Sequence, residues 1–283
     1  EYSVYDFKNY RYQLGSVQEV GNIYPKYYLK AFYDGMTAEG DTMPISLIRS
    51  AWAGSAKYGA LVWSGDIVST FECFRRQVQA GLNMAIAGIP WWTTDIGGFH
   101  GARTDDPDFH RLYIRWFEYG CFCPVMRLHG NRNPQEGYGA EQIGSGSDNE
   151  IWSFGDKAYE ISKKYIFLRE RLRDYIRTQM KKAHEDGTPM MRPVFYDFPT
   201  DQESWNVEDA YLFGPDLYVA PVMEDHVTER EVYLPDGTAW FNAWTGEKYE
   251  GGQNVTVAAP MDIIPVFVRE GADTEHLLNI FSE

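Results

Sequence analysis

Three stretches decide how this chain is read: Ile45-Ser46-Leu47-Ile48-Arg49-Ser50-Ala51-Trp52, then Ala60-Leu61-Val62-Trp63-Ser64-Gly65-Asp66, then Trp91-Trp92-Thr93-Thr94-Asp95-Ile96-Gly97-Gly98-Phe99. Each is a short apolar run that ends in charged or aromatic side chains. Runs this short, separated by helix-length segments, are expected to form parallel strands with crossover helices. Polar groups gathered at the carboxyl ends of such strands are the arrangement of a (β/α) barrel active site. Tryptophan beside carboxylate suits a sugar, because aromatic faces cover the C–H surface of the ring while carboxylates meet hydroxyls and glycosidic oxygens.

The same residues carry a resemblance to a family. Trp63-Ser64-Gly65-Asp66 matches the Trp-x-Gly-Asp segment that ends on the acid/base aspartate of glycoside hydrolase family 31, the retaining α-glucosidases and α-xylosidases. Arg49-Ser50-Ala51-Trp52-Ala53-Gly54-Ser55 resembles the family's Arg-Ser-x-x-Ala-Gly-Ser stretch. Asp95-Ile96-Gly97-Gly98-Phe99 and Arg127-Leu128-His129 follow in the family's order, and the similarity continues to about residue 270. The resemblance implies a nucleophilic aspartate at the end of the fourth barrel strand, and it places that aspartate upstream of Glu1. Asp6 and Asp34 are the only early alternatives, and neither is expected at a strand terminus.

Outward from this stretch, Pro25 to Met36 has helical spacing, and Ser69 or Thr70 can cap a helix from Phe71 to about Gln79. Met84–Ile89 is expected to lead into the strand that ends at Trp91-Trp92. Asp106-Pro107 opens the next helix, with Phe109, Leu112, Tyr113, Trp116 and Phe117 on its apolar face. Pro124–Arg127 reads as a fourth strand, Gly130 to Gly155 as a long loop over the site, and Asp156 as the cap of a helix to about His184, ending at Gly187. Beyond Pro189 the period changes to alternation: Ala210–Phe213, Leu217–Val222, Glu231–Leu234, Ala239–Phe241, Val255–Ala258 and Ile263–Val268 are separated by Gly and Pro turns. The expected fold is therefore α/β plus all-β: the second half of a (β/α)8 TIM barrel over residues 1–187, then an antiparallel β-sandwich domain over 188–283.

Breaking an acetal needs a proton for the leaving oxygen and a nucleophile for the oxocarbenium-like transition state. Asp66, after an apolar strand and a glycine that lets the chain turn, is the candidate proton donor. Asp95 can accept hydrogen bonds from sugar hydroxyls or hold an arginine; its plain alternative is a helix cap. Arg49 suits a carboxylate cluster or substrate hydroxyls; its alternative is a structural ion pair. Arg127 and His129 end the last strand run, and the resemblance implies that His129 donates to the sugar in the −1 subsite. Trp63, Trp91 and Trp92 are candidates for the aromatic wall, one of the three belonging to the core, with Trp52 less well placed. Asp105, Asp106 and Asp108 read as solvated surface. Xylose lacks the hydroxymethyl group that glucose carries, and a Trp91-Trp92 pair narrowing the pocket at C6 favours α-xylosidase over α-glucosidase.

The 283-residue chain can bury a sizeable core. A net charge of −15 argues against nucleic acid, whose phosphates require a cationic surface. The 3 cysteines, Cys73, Cys121 and Cys123, have no metal-ligand spacing, and those at 121 and 123 read as buried free thiols. No cofactor, neither metal nor nucleotide, is expected, since no zinc-type spacing and no phosphate-cradling glycine motif is present. No apolar run reaches the length of about 18 residues that a membrane span requires. The expected partners are an oligosaccharide or small glycoside and the missing N-terminal half of the barrel; whether the protein is cytoplasmic or exported is left open. Two other classes stay open: a sugar-binding module without catalysis, and an inactive fragment with open strand edges.

Overall fold

The computed structural model describes residues 9–138, 143–271 and 273–282; Glu1 and Asp6 lie outside them. A short antiparallel hairpin, β1 (Arg11–Tyr12) and β2 (Gly15–Ser16), leads into α1 (Val17–Val20) and then α2 (Tyr24–Ala38). The parallel layer follows. Strands β3 (Ser46–Ile48), β4 (Ala60–Trp63) and β5 (Trp92–Thr93) pair side by side, with Ile48 opposite Val62 and Val62 opposite Trp92.

Helices pack on this layer for reasons visible in the chain. Helix α3 (Phe71–Ile86) starts where the Thr70 hydroxyl accepts from the Cys73 amide at 3.1 Å. It runs well past Gln79, because Phe74, Val78, Gly81, Leu82 and Ala85 continue one buried stripe at helical spacing. Met84 and Ile86 thus close this helix instead of opening a strand. Helix α4 (Pro107–Cys121) has Asp106 as its cap, the carboxylate accepting from the Asp108 amide at 2.9 Å. Its expected apolar face is buried, and Trp116 stacks on Phe74 at 4.9 Å while donating to the Thr94 hydroxyl at 2.9 Å. Each large side chain removed from water in this way contributes about 1.5–3 kcal/mol.

Three expectations in this half need correction. Pro124–Arg127 runs beside β5 without forming a strand; the backbone bonds that tie it there are Val125 donating to the Trp92 carbonyl (3.2 Å) and Ile96 donating to the Arg127 carbonyl (3.3 Å). The stretch after Gly130 holds an antiparallel hairpin, β6 (Arg132–Tyr138) with β7 (Ile143–Ser147), whose register shifts between Arg132 and Glu136. The long helix is two, α5 (Gly155–Arg171) and α6 (Arg173–Glu185), broken at Leu172, which is fully buried. Asp156 sits in the first turn of α5, with Phe154 at the capping position.

The C-terminal part is antiparallel. Strands β8 (Met191–Arg192), β9 (Tyr211–Phe213), β10 (Leu217–Val219), β11 (Glu229–Leu234), β12 (Ala239–Asn242), β13 (Lys248–Glu250), β14 (Gln253–Ala258) and β15 (Val266–Arg269) divide between two sheets, before α7 (Thr274–Ser282). The larger has the order β13-β12-β15-β10-β9-β8; the smaller pairs β11 with β14. Val232, Leu234 and Val257 of the small sheet share a core with Leu212, Tyr218, Trp240 and Phe267 of the large one. A second, larger core runs without interruption from Val62 and Phe74 through Tyr165 to Leu217, Val266 and Phe281, so the parallel layer and the C-terminal sheets are packed as neighbours. Cys121 and Cys123 are buried free thiols within it. No helix among the described residues is long and apolar enough to cross a membrane.

Candidate active site

Alternation along the parallel strands sorts the side chains. Because β3, β4 and β5 pair in register, Ile48, Val62 and Trp92 share the face that meets the helices, while Trp63 and Thr93 share the opposite face. Trp63 is accordingly half-buried and Val62 fully buried. Trp92 is only 3% exposed and packs on α3 at Gly81 and against Met191. It belongs to the core instead of the aromatic wall, which corrects the expectation that it contacts substrate. The narrowing at C6 attributed to the Trp91-Trp92 pair loses one of its two members.

The remaining candidates meet at the carboxyl ends of the strands. Arg49 directly follows β3, and its guanidinium donates to both oxygens of Asp66, at 2.9 and 3.1 Å. Asp66 follows β4 through Gly65, whose φ of +75° makes the turn. Arg127 pairs with Asp95, two residues beyond β5. The guanidinium carbons of Arg49 and Arg127 lie 5.5 and 5.9 Å from the Trp63 ring, which places both cations against one indole. His129 lies beside Phe99, ring centroids 5.3 Å apart.

Asp95 is the electrostatic centre of the group. Its side chain is fully buried; one oxygen meets Arg127, and the other has no hydrogen-bond partner among the described residues. Burial holds its carboxyl above the usual carboxylate range; Arg127 and His129 pull it back down, and the nearby Asp66 adds to the rise. Asp66, Arg127 and His129 therefore all lie near enough to act on Asp95. Asp95 exposes no surface to a ligand, so its role in this structure is to hold Arg127 in place. Trp52, 45% exposed, lies on the open surface beyond β3.

The other acidic residues are accounted for locally. Asp105 pairs with Arg103, Asp106 caps α4, and Asp108 pairs with Arg111. Asp34 pairs with Lys30 along α2. Two polar side chains of the site were not singled out from sequence. The Ser64 hydroxyl accepts from the Asp95 amide at 3.4 Å, and Arg132 lies beneath the turns that carry both aspartates. Serine after a strand carries no signal of its own, and Arg132 sits in a stretch without periodicity.

Gly98 shows how tightly those turns are built. Its φ is +79°, and a Cβ there would lie 2.8–2.9 Å from the backbone and hydroxyl of Ser69. Gly98→Ala is expected to lower stability by at least the ~1–2 kcal/mol of a left-handed non-glycine residue. Thermal unfolding reads this, and an unchanged midpoint would contradict the packing described.

The profile of the Glycosyl hydrolases family 31 TIM-barrel domain matches residues 2–179, and that of the family's C-terminal domain matches residues 187–272. The chain belongs to glycosyl hydrolase family 31. As a family 31 chain it is 56% identical to an α-xylosidase from a soil metagenome solved with xylose, at a TM-score of 0.93 over 98% of this chain and 42% of that one. It is 37% identical to an α-xylosidase of Saccharolobus solfataricus, over 92% of this chain and 34% of the relative. It is 33% identical to α-glucosidase 2 of Bacillus thermoamyloliquefaciens, over 90% of this chain and 30% of the relative. The chain thus spans about a third of the length of these curated relatives. Family 31 members are glycosidases, and the match joins part of a TIM-barrel domain to the family's C-terminal domain.

Proposed function

We propose that this chain carries the acid/base side of a retaining α-glycosidase that removes terminal α-linked xylose. The observation that carries the reading is the convergence of Asp66, Arg49, Trp63, Asp95, Arg127 and His129 at one end of the parallel layer. In this reading Asp66 protonates the leaving glycosidic oxygen, and an aspartate supplied from upstream of residue 1 attacks the anomeric carbon. Asp66 then takes the proton of the incoming water, so the configuration is retained. Arg127, held in place by the buried Asp95, meets sugar hydroxyls, His129 donates to the same ring, and Trp63 covers its C–H face.

The parallel layer is the second half of an eight-fold barrel in this proposal, with the division from a C-terminal β-sandwich near residue 187. Xylose is favoured over glucose because α-xylosidases stand among the relatives at 56% and 37% identity, while the α-glucosidase named above stands at 33%. Trp92 no longer contributes to that preference.

The test is complementation. Residues 1–283 alone are expected not to hydrolyse an aryl α-xyloside. Mixed or fused with the upstream half-barrel, they should turn it over faster than the matching α-glucoside. Turnover by the purified chain alone, abolished by Asp66→Ala, would put the nucleophile inside this sequence. Faster hydrolysis of the glucoside would overturn the choice of xylose, and sugar binding without any turnover by the complemented protein would leave a binding module.

A further inference from the structure

Arg132 opens β6, yet its side chain turns away from the hairpin and is completely buried. Its guanidinium reaches four acceptors on three separate segments. Nη1 donates to the Gly98 carbonyl at 2.7 Å and to the Ser69 hydroxyl at 3.3 Å. Nη2 donates to the Ile96 carbonyl at 3.2 Å, and Nε donates to the Asn149 side-chain oxygen at 2.7 Å. The face of the guanidinium covers Phe109 of α4, 4.6 Å from the ring centroid.

The location of these acceptors gives the arrangement its meaning. Ile96 and Gly98 lie in the turn directly after Asp95, and Ser69 ends the turn that begins at Asp66. Asn149 lies just past β7, where the hairpin returns to the body of the protein. Backbone bonds join the first two turns: Phe99 and His100 donate to the Ile67 carbonyl at 2.7 and 2.9 Å, and Ser69 donates to the His100 carbonyl at 2.8 Å. Asn131 donates to the Phe99 carbonyl at 2.8 Å and so brings the start of the hairpin to the same point.

Arg132 makes no ion pair at hydrogen-bond distance among the described residues; burial works against its charge, and Asp95 favours it through space. A buried cation facing neutral carbonyls is costly to keep. What it offers in return is a rigid planar fork that meets several acceptors at fixed angles, which a lysine ammonium cannot do.

We propose that Arg132 is a positioning residue: it sets the separation of the Asp66 and Asp95 turns and couples both to the base of the β6–β7 hairpin. The inference rests on the reading of Asp66 as the reacting carboxylate and of Asp95 as the anchor of the sugar-holding Arg127, but the tie itself can be read without activity. Displacing a reacting group by about 1 Å can cost on the order of 10²-fold in rate, so the tie bears on turnover although Arg132 touches no substrate.

Amide hydrogen exchange on the 283-residue chain gives the first readout. Arg132→Lys is expected to speed exchange in segments 66–70 and 96–100 by about tenfold or more, since hydrogen bonds to a charged group are lost. Arg115→Lys serves as the control, because Arg115 is equally buried but donates to carbonyls of Val227, Ala259, Pro260 and Ile263, away from these turns. Any acceleration from its lower global stability should be shared by all segments, with no excess in 66–70 and 96–100. Gly130→Ala is the second variant. A Cβ there would lie 2.5 Å from the Arg132 guanidinium carbon, so it displaces the fork while keeping the arginine. It should reproduce the pattern even where Arg132→Lys fails to fold.

The second readout is kinetic, in the complemented protein on an aryl α-xyloside: kcat should fall about 10–100-fold with KM shifted much less. Unchanged exchange in both segments, or the same excess in them under Arg115→Lys, would overturn the proposal. So would faster exchange accompanied by unaltered kcat. If the complemented wild-type protein shows no turnover at all, the glycosidase reading fails by itself, and the exchange arm still decides whether Arg132 holds the turns.

Discussion

Asp66→Ala, in the chain complemented by the proposed half-barrel, is expected to slow hydrolysis of an unactivated α-xyloside by about 10²–10⁴-fold, the usual worth of general acid catalysis. The loss should shrink sharply for an aryl leaving group that departs without protonation. Azide should then restore part of the rate on the activated substrate by capturing the glycosyl-enzyme in place of water. The argument is geometric: Asp66 is held by Arg49 at 2.9 Å, follows a glycine turn at a strand end, and lies near Asp95. Steady-state rates on two xylosides of different leaving group decide it. A natural-substrate rate equal to the wild type would remove Asp66 from the mechanism.

The largest effect on stability is expected away from the site. Arg115 and Glu118 of α4 form an ion pair at 3.1 Å in which both side chains are buried. Arg115 also donates to four carbonyls of the C-terminal part, the nearest being Ala259 at 2.6 Å. Arg115→Ala leaves those carbonyls and the Glu118 carboxyl without their donor, and each buried acceptor left unpaired costs about 1–3 kcal/mol. Burial pushes the Glu118 carboxyl from 4.5 up to about 8, against the pull of Arg115, with Tyr165 and Lys164 beside it. The folded chain therefore keeps a proton that the unfolded chain releases. Its stabilising contribution is full below about pH 4.5 and is lost as pH rises towards 8, with a slope of up to about 1.4 kcal/mol per pH unit. Glu118→Gln should flatten that dependence. Urea unfolding midpoints across this range test both variants, and parallel curves for wild type and Glu118→Gln would refute the assignment.

The residues that meet at the strand ends were legible because their chemistry and their position coincide. Arg49, Asp66 and Asp95 each interrupt or end an apolar run, and a polar side chain in that place has few roles other than an exposed strand end. Helix starts were legible for the same reason, as at Thr70 and Asp106, where a short polar side chain can reach a free amide. The C-terminal strands showed in their alternation, although β8, β13 and α7 did not, being short or lacking a period that singled them out.

Orientation and length were less visible. Two adjacent tryptophans look alike in a sequence, but successive residues of a strand point to opposite faces, so Trp92 entered the core against α3 while its strand neighbour Thr93 took the other face. Helix α3 outran its apparent end because tertiary packing rewards every further residue that extends the buried stripe. Leu172 split one periodic segment into two helices at a fully buried position.

By itself, then, the sequence determined the change from parallel to antiparallel strands, the strand ends that bear Arg49, Asp66 and Asp95, and the family, because these depend on residue type and local spacing. Only the tertiary structure decided that Asp95 is buried with an open acceptor, that Trp92 belongs to the core, and that Arg132 ties three segments together. Those outcomes depend on neighbours that are distant along the chain, and the cost or gain of burying a charge is set by those neighbours and not by the residue itself.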